Sequence, residues 1–427
     1  MITKTEAHLQ LVLIGWGVII VATWLAWRLC RLLKQPLPVG EIAVGLLLGP
    51  SFLGLFAPDF MHAVFPGEIK DSLAILAEVG LMLMLFQVGM EFDFSHLRQK
   101  SRVVLSSSIM GIAGPMLGGL AIGPWLHKTF APDVPWAGFQ IFVCVALSIS
   151  SLPVMGRMLL EMKLERTALG VTAISAAAID DATGWILLGL ATAVVKQDGH
   201  FSWPPFLGQV VLVVICVLVI LKVVGPLLIK AWRKQCRDAQ AENMTAGFMA
   251  LLLCALFLSC LATSKLGIFA IFGAFALGVA LHEEVSLVKA WRERFGEFVV
   301  VALVPIFFTS TGLNTNIAAF GGNGVSTATA WMFCALICAV AIAGKLGGCT
   351  LGARWAGASW QDSRCIGALM NTRALMGLVA IKVGRDLGLL NEQLFTMFVI
   401  MCLLTTASTA PLLRLWLPAD LKKLLPR

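Results

Sequence analysis

The sequence predicts an all-α polytopic membrane protein. Three observations support this: the composition, the length of the apolar segments, and polar interruptions within two of them. Of 427 residues, 59% are hydrophobic and only 13% are charged. Apolar segments of about 20 residues cross a bilayer as helices, which satisfy their own backbone hydrogen bonds in lipid. We predict about thirteen helices, near residues 10–32, 38–56, 71–92, 103–126, 137–160, 167–195, 204–230, 244–263, 266–282, 296–313, 327–353, 364–384 and 393–416.

The segments occupy the chain almost end to end, so residues 1–427 predict a single integral-membrane domain without a soluble C-terminal domain. Coupling to an ion gradient is therefore expected rather than coupling to ATP. No nucleophile elbow or phosphate loop is present, and the six histidines lack metal-ligand spacing. We expect no enzyme and no cofactor.

Lysine and arginine are distributed unevenly among the loops. When successive loops are assigned to alternate sides, most basic residues fall on one side, including Arg28, Arg157, Lys230 and Arg414. Basic loops stay in the cytoplasm, so the N-terminus is predicted outside and the C-terminus in the cytoplasm, in a bacterial inner (plasma) membrane. This topology accounts for the net charge of +8, and no nucleic-acid partner is expected.

Polar residues interrupt the fifth and twelfth segments at membrane depth. Ser150 and Ser151 precede Pro153 in the fifth segment, and Asn371, Thr372 and Arg373 interrupt the twelfth. Irregular backbone at this depth is tolerated where it is buried or lines a wet cavity, and paired interruptions mark transporter substrate sites. We predict that these residues line such a site; a packing kink at Pro153 is the alternative.

Asp180 and Asp181 lie in the middle of the sixth segment. A carboxylate at mid-bilayer costs roughly 2.5–3.5 kcal/mol on insertion scales, so it persists mainly where it meets water, a counter-charge or an ion. The two aspartates are therefore predicted to bind the transported ion and protons. Lys345, among small residues of the eleventh segment, is the predicted partner of one aspartate. A purely structural ion pair is the alternative for this lysine.

Several strings, in the order expected, resemble the monovalent cation/proton antiporter-2 family of the sodium/hydrogen exchanger superfamily. The resemblance covers nearly the whole chain. The strings include Gly49-Pro50-Ser51, Gln87-Val88-Gly89-Met90-Glu91, Ala178-Ile179-Asp180-Asp181, Pro305-Ile306-Phe307-Phe308 and Asn371-Thr372-Arg373-Ala374.

The resemblance implies inverted repeats with two crossing broken helices. It also implies a homodimer in which a core domain, approximately 71–195 and part of 296–416, moves like an elevator. This domain would move against dimerisation or scaffold helices at approximately 10–56 and 204–282. Asp181 matches the carboxylate that such exchangers use to bind cation and proton alternately. Asp180 matches the preceding position. Lys345 matches the family's basic residue that is proposed to pair with this first aspartate, and Arg373 matches the basic residue of the second break. Leu152 stands where another branch carries an acid.

The sequence thus predicts a secondary active antiporter that exchanges Na⁺ or K⁺ for protons by alternating access, with the lipid bilayer as its environment. Adjacent carboxylates titrate as a coupled pair. If Lys345 releases its proton when the cation binds, exchange is electrogenic. A ligand-gated, channel-like efflux system and a sodium-coupled solute carrier on a similar fold are the alternatives.

Overall fold

The computed structural model describes residues 4–33, 35–91, 101–164, 167–196, 203–239, 244–267, 270–317, 320 and 325–424. All regular secondary structure in these ranges is helical, as the composition predicts. The helices are α1 (Lys4–Leu33), α2 (Leu37–Leu48), α3 (Leu53–Phe56), α4 (Pro58–Val64), α5 (Lys70–Met90), α6 (Ser101–Phe130), α7 (Trp136–Ser148), α8 (Leu152–Glu161), α9 (Ala168–Lys196), α10 (Trp203–Val219), α11 (Gly225–Ala239), α12 (Ala246–Lys265), α13 (Ala270–Leu281), α14 (Val285–Trp291), α15 (Val304–Leu313), α16 (Thr327–Trp355), α17 (Trp360–Met370), α18 (Ala374–Asp386), α19 (Glu392–Trp416) and α20 (Ala419–Lys422).

The described helices include nine that are long and apolar enough to span a membrane. The number rises to eleven when each of two bent helix pairs is taken as one span. The predicted count of thirteen is not confirmed. Its fifth segment is split into α7, of 13 residues, and α8, of 10, and its ninth segment gives α13, of 12; each of these helices alone is too short to cross a bilayer.

The chain divides into two compact units. The first comprises Met1–Ile20, Phe65–Phe94 and Ser202–Phe307, and the second comprises Val21–Val64, Ser95–Phe201 and Phe308–Arg427. Every residue predicted to form the ion site belongs to the second unit. The predicted core and dimerisation domains are defined by movement and subunit contacts, and that division stays a prediction.

Close packing of α6 against α16 positions Lys345 within the second unit. Gly344 leaves room for Pro115, whose Cα would lie 2.9 Å from a Cβ at position 344. One turn further along α16, Gly348 packs directly against the Met110 carbonyl. Small residues at such contacts let two backbones approach closely. Lys345, a long basic residue, therefore lies on α16 between two glycines that pack closely against α6.

The two interrupted segments form broken helices in the structure. α7 ends at Ser148, and Ile149 adopts extended backbone angles before α8 begins at Leu152. Pro153 is the second residue of α8, where no helical N–H donor is required. The second interruption separates α17 from α18, whose axes differ by 42°.

Candidate ion-binding site

The two helix breaks contact each other inside the second unit. Ser150 Oγ donates a hydrogen bond to the Met370 carbonyl at 2.9 Å, and the Arg373 guanidinium donates to the Leu147 carbonyl. Carbonyls in the last turn of a helix have no partner within that helix. Each break therefore supplies a donor to the helix that ends at the other break.

Asp180 lies on α9 and is 1% exposed. Its Oδ2 accepts from the Ser150 backbone N–H at 2.9 Å and from Lys345 Nζ at 2.8 Å. The ammonium also donates to the Ser148 carbonyl. Both side chains of this ion pair are fully buried. Charge-assisted hydrogen bonds of this kind offset part of the cost of burying two charges.

Asp181, the next residue, has a different environment. It is 8% exposed, and its Oδ2 accepts from the Leu152 N–H at 3.3 Å, a long hydrogen bond. Among the described residues, three buried oxygens near the first break have no hydrogen-bond partner: Oδ1 of Asp180, Oδ1 of Asp181 and Ser151 Oγ. Carboxylate and hydroxyl oxygens are the ligand types that hard cations prefer.

The second break is held mainly by a hydroxyl-rich stretch in the interior of α19. Thr406 Oγ1 accepts from the backbone N–H groups of Arg373 at 3.2 Å and Ala374 at 3.1 Å. The Asn371 side-chain amide donates to the Thr405 carbonyl and to Ser408 Oγ, at 3.2 Å each. The two bonds accepted by Thr406 satisfy N–H groups at the start of α18, much as an N-cap side chain does.

The polar residues predicted at the second break therefore contact different neighbours from those at the first. The side chains of Asn371 and Thr372 hydrogen-bond to α19, the latter through Thr409 Oγ1 at 3.4 Å. Arg373 is fully buried, and besides Leu147 it donates to the Ala341 carbonyl of α16 at 2.7 Å. The arginine thus joins the first broken helix to α16.

Two groups of functional contacts were missed by sequence reasoning. The first is the set of hydroxyl residues on α19, for which the signal was present as Thr405, Thr406, Ser408 and Thr409 in an apolar helix. The second is the set of backbone N–H groups at Ser150 and Leu152 that meet the two aspartates. Side-chain identity carries no signal for these.

Together these features define an integral-membrane protein with two contacting broken helices beside a buried acid–base cluster. The same fold occurs in a solved structure of the sodium proton antiporter MjNhaP1 from Methanocaldococcus jannaschii. The TM-score is 0.64 at 15% identity, and the match covers 98% of this chain and 100% of the other. The predicted sodium/proton antiporter fold is thereby confirmed.

The chain belongs to the sodium/hydrogen exchanger family. The family model, described as "Sodium/hydrogen exchanger, transmembrane", matches residues 18–415. The Na(+)/H(+) antiporter NhaS4 of Synechocystis is 34% identical, over 95% of this chain and 96% of that protein. The Cation/H(+) antiporter 17 of Arabidopsis thaliana is 35% identical over 95% of this chain. This chain spans about half of the Arabidopsis protein, 48%. These relatives are transporters, which confirms the expectation that the chain is not an enzyme.

Proposed function

We propose that the chain is a secondary active antiporter that exchanges a monovalent cation, Na⁺ or K⁺, for protons at Asp180 and Asp181. The observation that carries this proposal is the pairing of only one of two adjacent buried carboxylates with Lys345. The other carboxylate sits at a helix break with unpartnered oxygens around it. The names of the relatives support cations and protons as the exchanged ions.

Competition at one site explains the exchange. With Asp181 deprotonated, its Oδ1, the Asp180 Oδ1 and Ser151 Oγ provide oxygen ligands for a dehydrated cation. Protonation removes the negative charge and expels the cation. Because each uncompensated charge is costly in an apolar barrier, the site changes sides only when it is loaded with protons or a cation, which leaves it less charged than the empty, fully deprotonated site. Alternating access of this kind makes exchange obligatory.

The Lys345–Asp180 pair bears on stoichiometry. If both Asp180 and Asp181 coordinate the cation, Lys345 loses its carboxylate partner and releases its proton. The loaded site then carries one negative charge, because two carboxylates surround one cation beside a neutral lysine. In the protonated state, Asp181 is neutral and the Lys345–Asp180 pair sums to zero. Two protons therefore move against one cation, and exchange is electrogenic.

The proposal extends to the location and assembly of the protein. The prevalence of basic residues in alternate loops supports a cytoplasmic C-terminus and an external N-terminus. The bacterial inner membrane is proposed as the location. A homodimer in which the site-bearing domain moves like an elevator is proposed on the resemblance to the family. Cross-linking of the purified protein in lipid tests the dimer.

The test of function is a proton-flux assay on the purified full chain in proteoliposomes. A pH-sensitive dye is trapped inside, and pulses of Na⁺, K⁺ or Li⁺ are applied over a range of pH and imposed voltage. We expect cation-driven proton movement whose rate responds to voltage. Cation flux without proton counter-movement would favour the channel-like alternative. Sodium-dependent uptake of an organic solute would favour the carrier.

A further inference from the structure

A cavity of about 730 Å³ lies at one end of the second unit. It forms where α6 and α9 begin and where α16 and α19 end, the end predicted to face the cytoplasm. Its titratable lining groups are Arg102, Asp362 and Asp420, and Thr172 and Ile366 also line it. The two helices that carry these last residues continue from the cavity directly to the ion site.

The remaining distance to the site is short. Thr172 and Asp180 are eight residues apart on α9, which corresponds to about 12 Å of helix rise. Ser175, 1% exposed, lies between them on the same helix. Hydrogen-bonded oxygens are separated by about 2.8 Å, so about four links span this gap. The cavity is therefore separated from Asp180 by a thin layer of protein.

Three further buried hydroxyls occupy this layer. Thr350 lies five residues beyond Lys345 on α16, and its Oγ1 packs directly against Gly367 of α17. Ser363 precedes Gly367 by about one turn on α17 and is fully buried. Both hydroxyls thus lie where α16 and α17 pack together, on the cavity side of Lys345.

Ser108 brings a third hydroxyl to the same level from α6. A Cβ at Gly111 would lie 3.9 Å from Lys345 Nζ, and Ser106 Oγ donates to the Gly352 carbonyl at 2.8 Å. The antiparallel pairing of α6 with α16 between these two contacts places Ser108 at the height of Thr350. Ser108 is fully buried.

These three hydroxyls differ from neighbouring hydroxyls in their hydrogen bonding. Ser108 Oγ, Thr350 Oγ1 and Ser363 Oγ have no partner among the described residues. By contrast, Ser107 Oγ donates to the Val104 carbonyl at 3.1 Å, and Thr172 Oγ1 donates to the Ala168 carbonyl at 2.6 Å. Buried hydroxyls without protein partners are normally satisfied by ordered water. A chain of hydroxyls and water relays protons.

We propose that, while the ion site is open to the cytoplasmic side, Ser108, Thr350 and Ser363, with bridging water, carry protons between this cavity and the Lys345–Asp180 pair by a route separate from that of the cation. Each hydroxyl accepts a proton on one side and gives up its own on the other, so one proton is transferred without net change. This inference rests on the antiporter function proposed above.

The packing around these hydroxyls favours protons over cations as the species conducted. Neighbouring helices pack closely at Gly348, Gly352 and Gly367, and this close packing disfavours a hydrated ion more than a proton. The three hydroxyls also lack the carboxylate that compensates a cation in an apolar environment. The Asp180 side chain is fully buried, whereas Asp181 remains 8% exposed. Asp181 is therefore the residue that a cation reaches by another path.

The test compares two kinds of exchange in proteoliposomes for the triple variant Ser108→Ala, Thr350→Val, Ser363→Ala. One assay measures cation-for-proton exchange, and the other measures exchange of an isotopically labelled cation for the same unlabelled cation, which needs no proton. We expect the first rate to fall about tenfold or more, because proton transfer steps depend strongly on positioned relay groups. The second rate should match the wild type.

Ser107→Ala is the matched control, since it removes a neighbouring buried hydroxyl that already bonds its own helix. It should leave both rates unchanged. Equal loss of both rates in the triple variant would show a structural role and overturn the relay, as would full retention of both. Absence of cation-for-proton exchange in the wild type would instead refute the antiporter proposal.

If the triple variant does not fold, Thr350→Val alone provides the test, because valine nearly preserves the volume. Transfer through an interrupted relay should then limit the rate. Cation-for-proton exchange by this variant should show a larger slowing in D₂O than exchange by the wild type. An identical isotope effect would overturn the proposal.

Discussion

The two helix breaks of the second unit use their backbone groups in opposite ways. At the first, the N–H groups of Ser150 and Leu152 are directed to carboxylates of α9. At the second, the N–H groups of Arg373 and Ala374 are bound by a threonine hydroxyl of α19. The backbone donors of the first break thus bond to ionisable carboxylates, whereas those of the second break bond to an uncharged hydroxyl of α19.

This difference suggests a division between chemistry and support. In the proposed exchange, charge at the first break changes when a carboxylate binds a proton or a cation, so its hydrogen bonds would change strength during a cycle. The hydroxyl at the second break carries no titratable charge, and the Arg373 guanidinium there donates to two backbone carbonyls. Substitutions near the first break should therefore alter transport, and those near the second should mainly alter stability.

The largest effect is expected for Asp181→Asn. The amide preserves shape but cannot alternate between a charged and a neutral state, so cation-for-proton exchange should fall to the background of empty vesicles. Folding should be retained, because the change removes a buried charge and leaves packing intact. Dye-reported proton flux, together with size-exclusion profiles in detergent, measures both quantities.

Asp133→Asn, which removes an exposed carboxylate between α6 and α7, is the matched control and should exchange at the wild-type rate. Native exchange rates in Asp181→Asn would remove this residue from the site and leave the first break without its proposed role.

Lys345→Met should have the next largest effect, on both stability and transport. It leaves Asp180 buried without its counter-charge, and breaking one side of a buried pair costs about 3–5 kcal/mol. Thermal unfolding in detergent should therefore shift strongly downward. The double variant Asp180→Asn, Lys345→Met removes both charges and should recover most of the lost stability.

A double variant no more stable than Lys345→Met would show that the lysine stabilises the unit through its bond to the Ser148 carbonyl rather than through Asp180. The comparison thus separates the ion pair from the helix-end contact at the first break.

The pairing of Lys345 with Asp180 illustrates what the sequence reveals. Intramembrane charges are few and must find partners, so a lysine among glycines points to one of two aspartates. The choice between Asp180 and Asp181 rested on the resemblance to known exchangers. In the structure, the ammonium lies 2.8 Å from Asp180 Oδ2. Composition and segment length likewise predicted the all-helical fold.

What the sequence could not reveal depends on backbone direction and tertiary distance. Nothing about Leu152 as an apolar residue indicates that its N–H meets Asp181. The bond from Arg373 to Ala341 joins positions 32 residues apart through a carbonyl that every residue has. The count of thirteen spans stays a prediction for a related reason: α7 and α13 are apolar helices of only 13 and 12 residues, and hydropathy alone does not show how such short helices lie in the bilayer.

Asp180→Asn should change coupling more than rate. It removes the anion that pairs with Lys345, so the lysine no longer gains and loses a charged partner and no longer contributes a proton to the cycle. Exchange should then become one for one and lose its voltage dependence. The reversal potential of proton flux under imposed cation gradients measures this ratio. An unchanged voltage response would assign electrogenicity to another group.

Thr406→Val should have the smallest effect on transport and tests the supporting role of the second break. Loss of this hydroxyl leaves the Arg373 and Ala374 N–H groups without a partner, which by analogy with helix caps costs about 0.5–2 kcal/mol. Thermal stability should fall accordingly, while the proton-flux rate of the folded protein stays near the wild-type value. Thr192→Val, whose hydroxyl bonds only the Leu188 carbonyl of its own helix, is the matched control and should shift stability by less than about 0.5 kcal/mol. If Thr406→Val instead abolished exchange without loss of stability, the second break would belong to the ion site as much as the first.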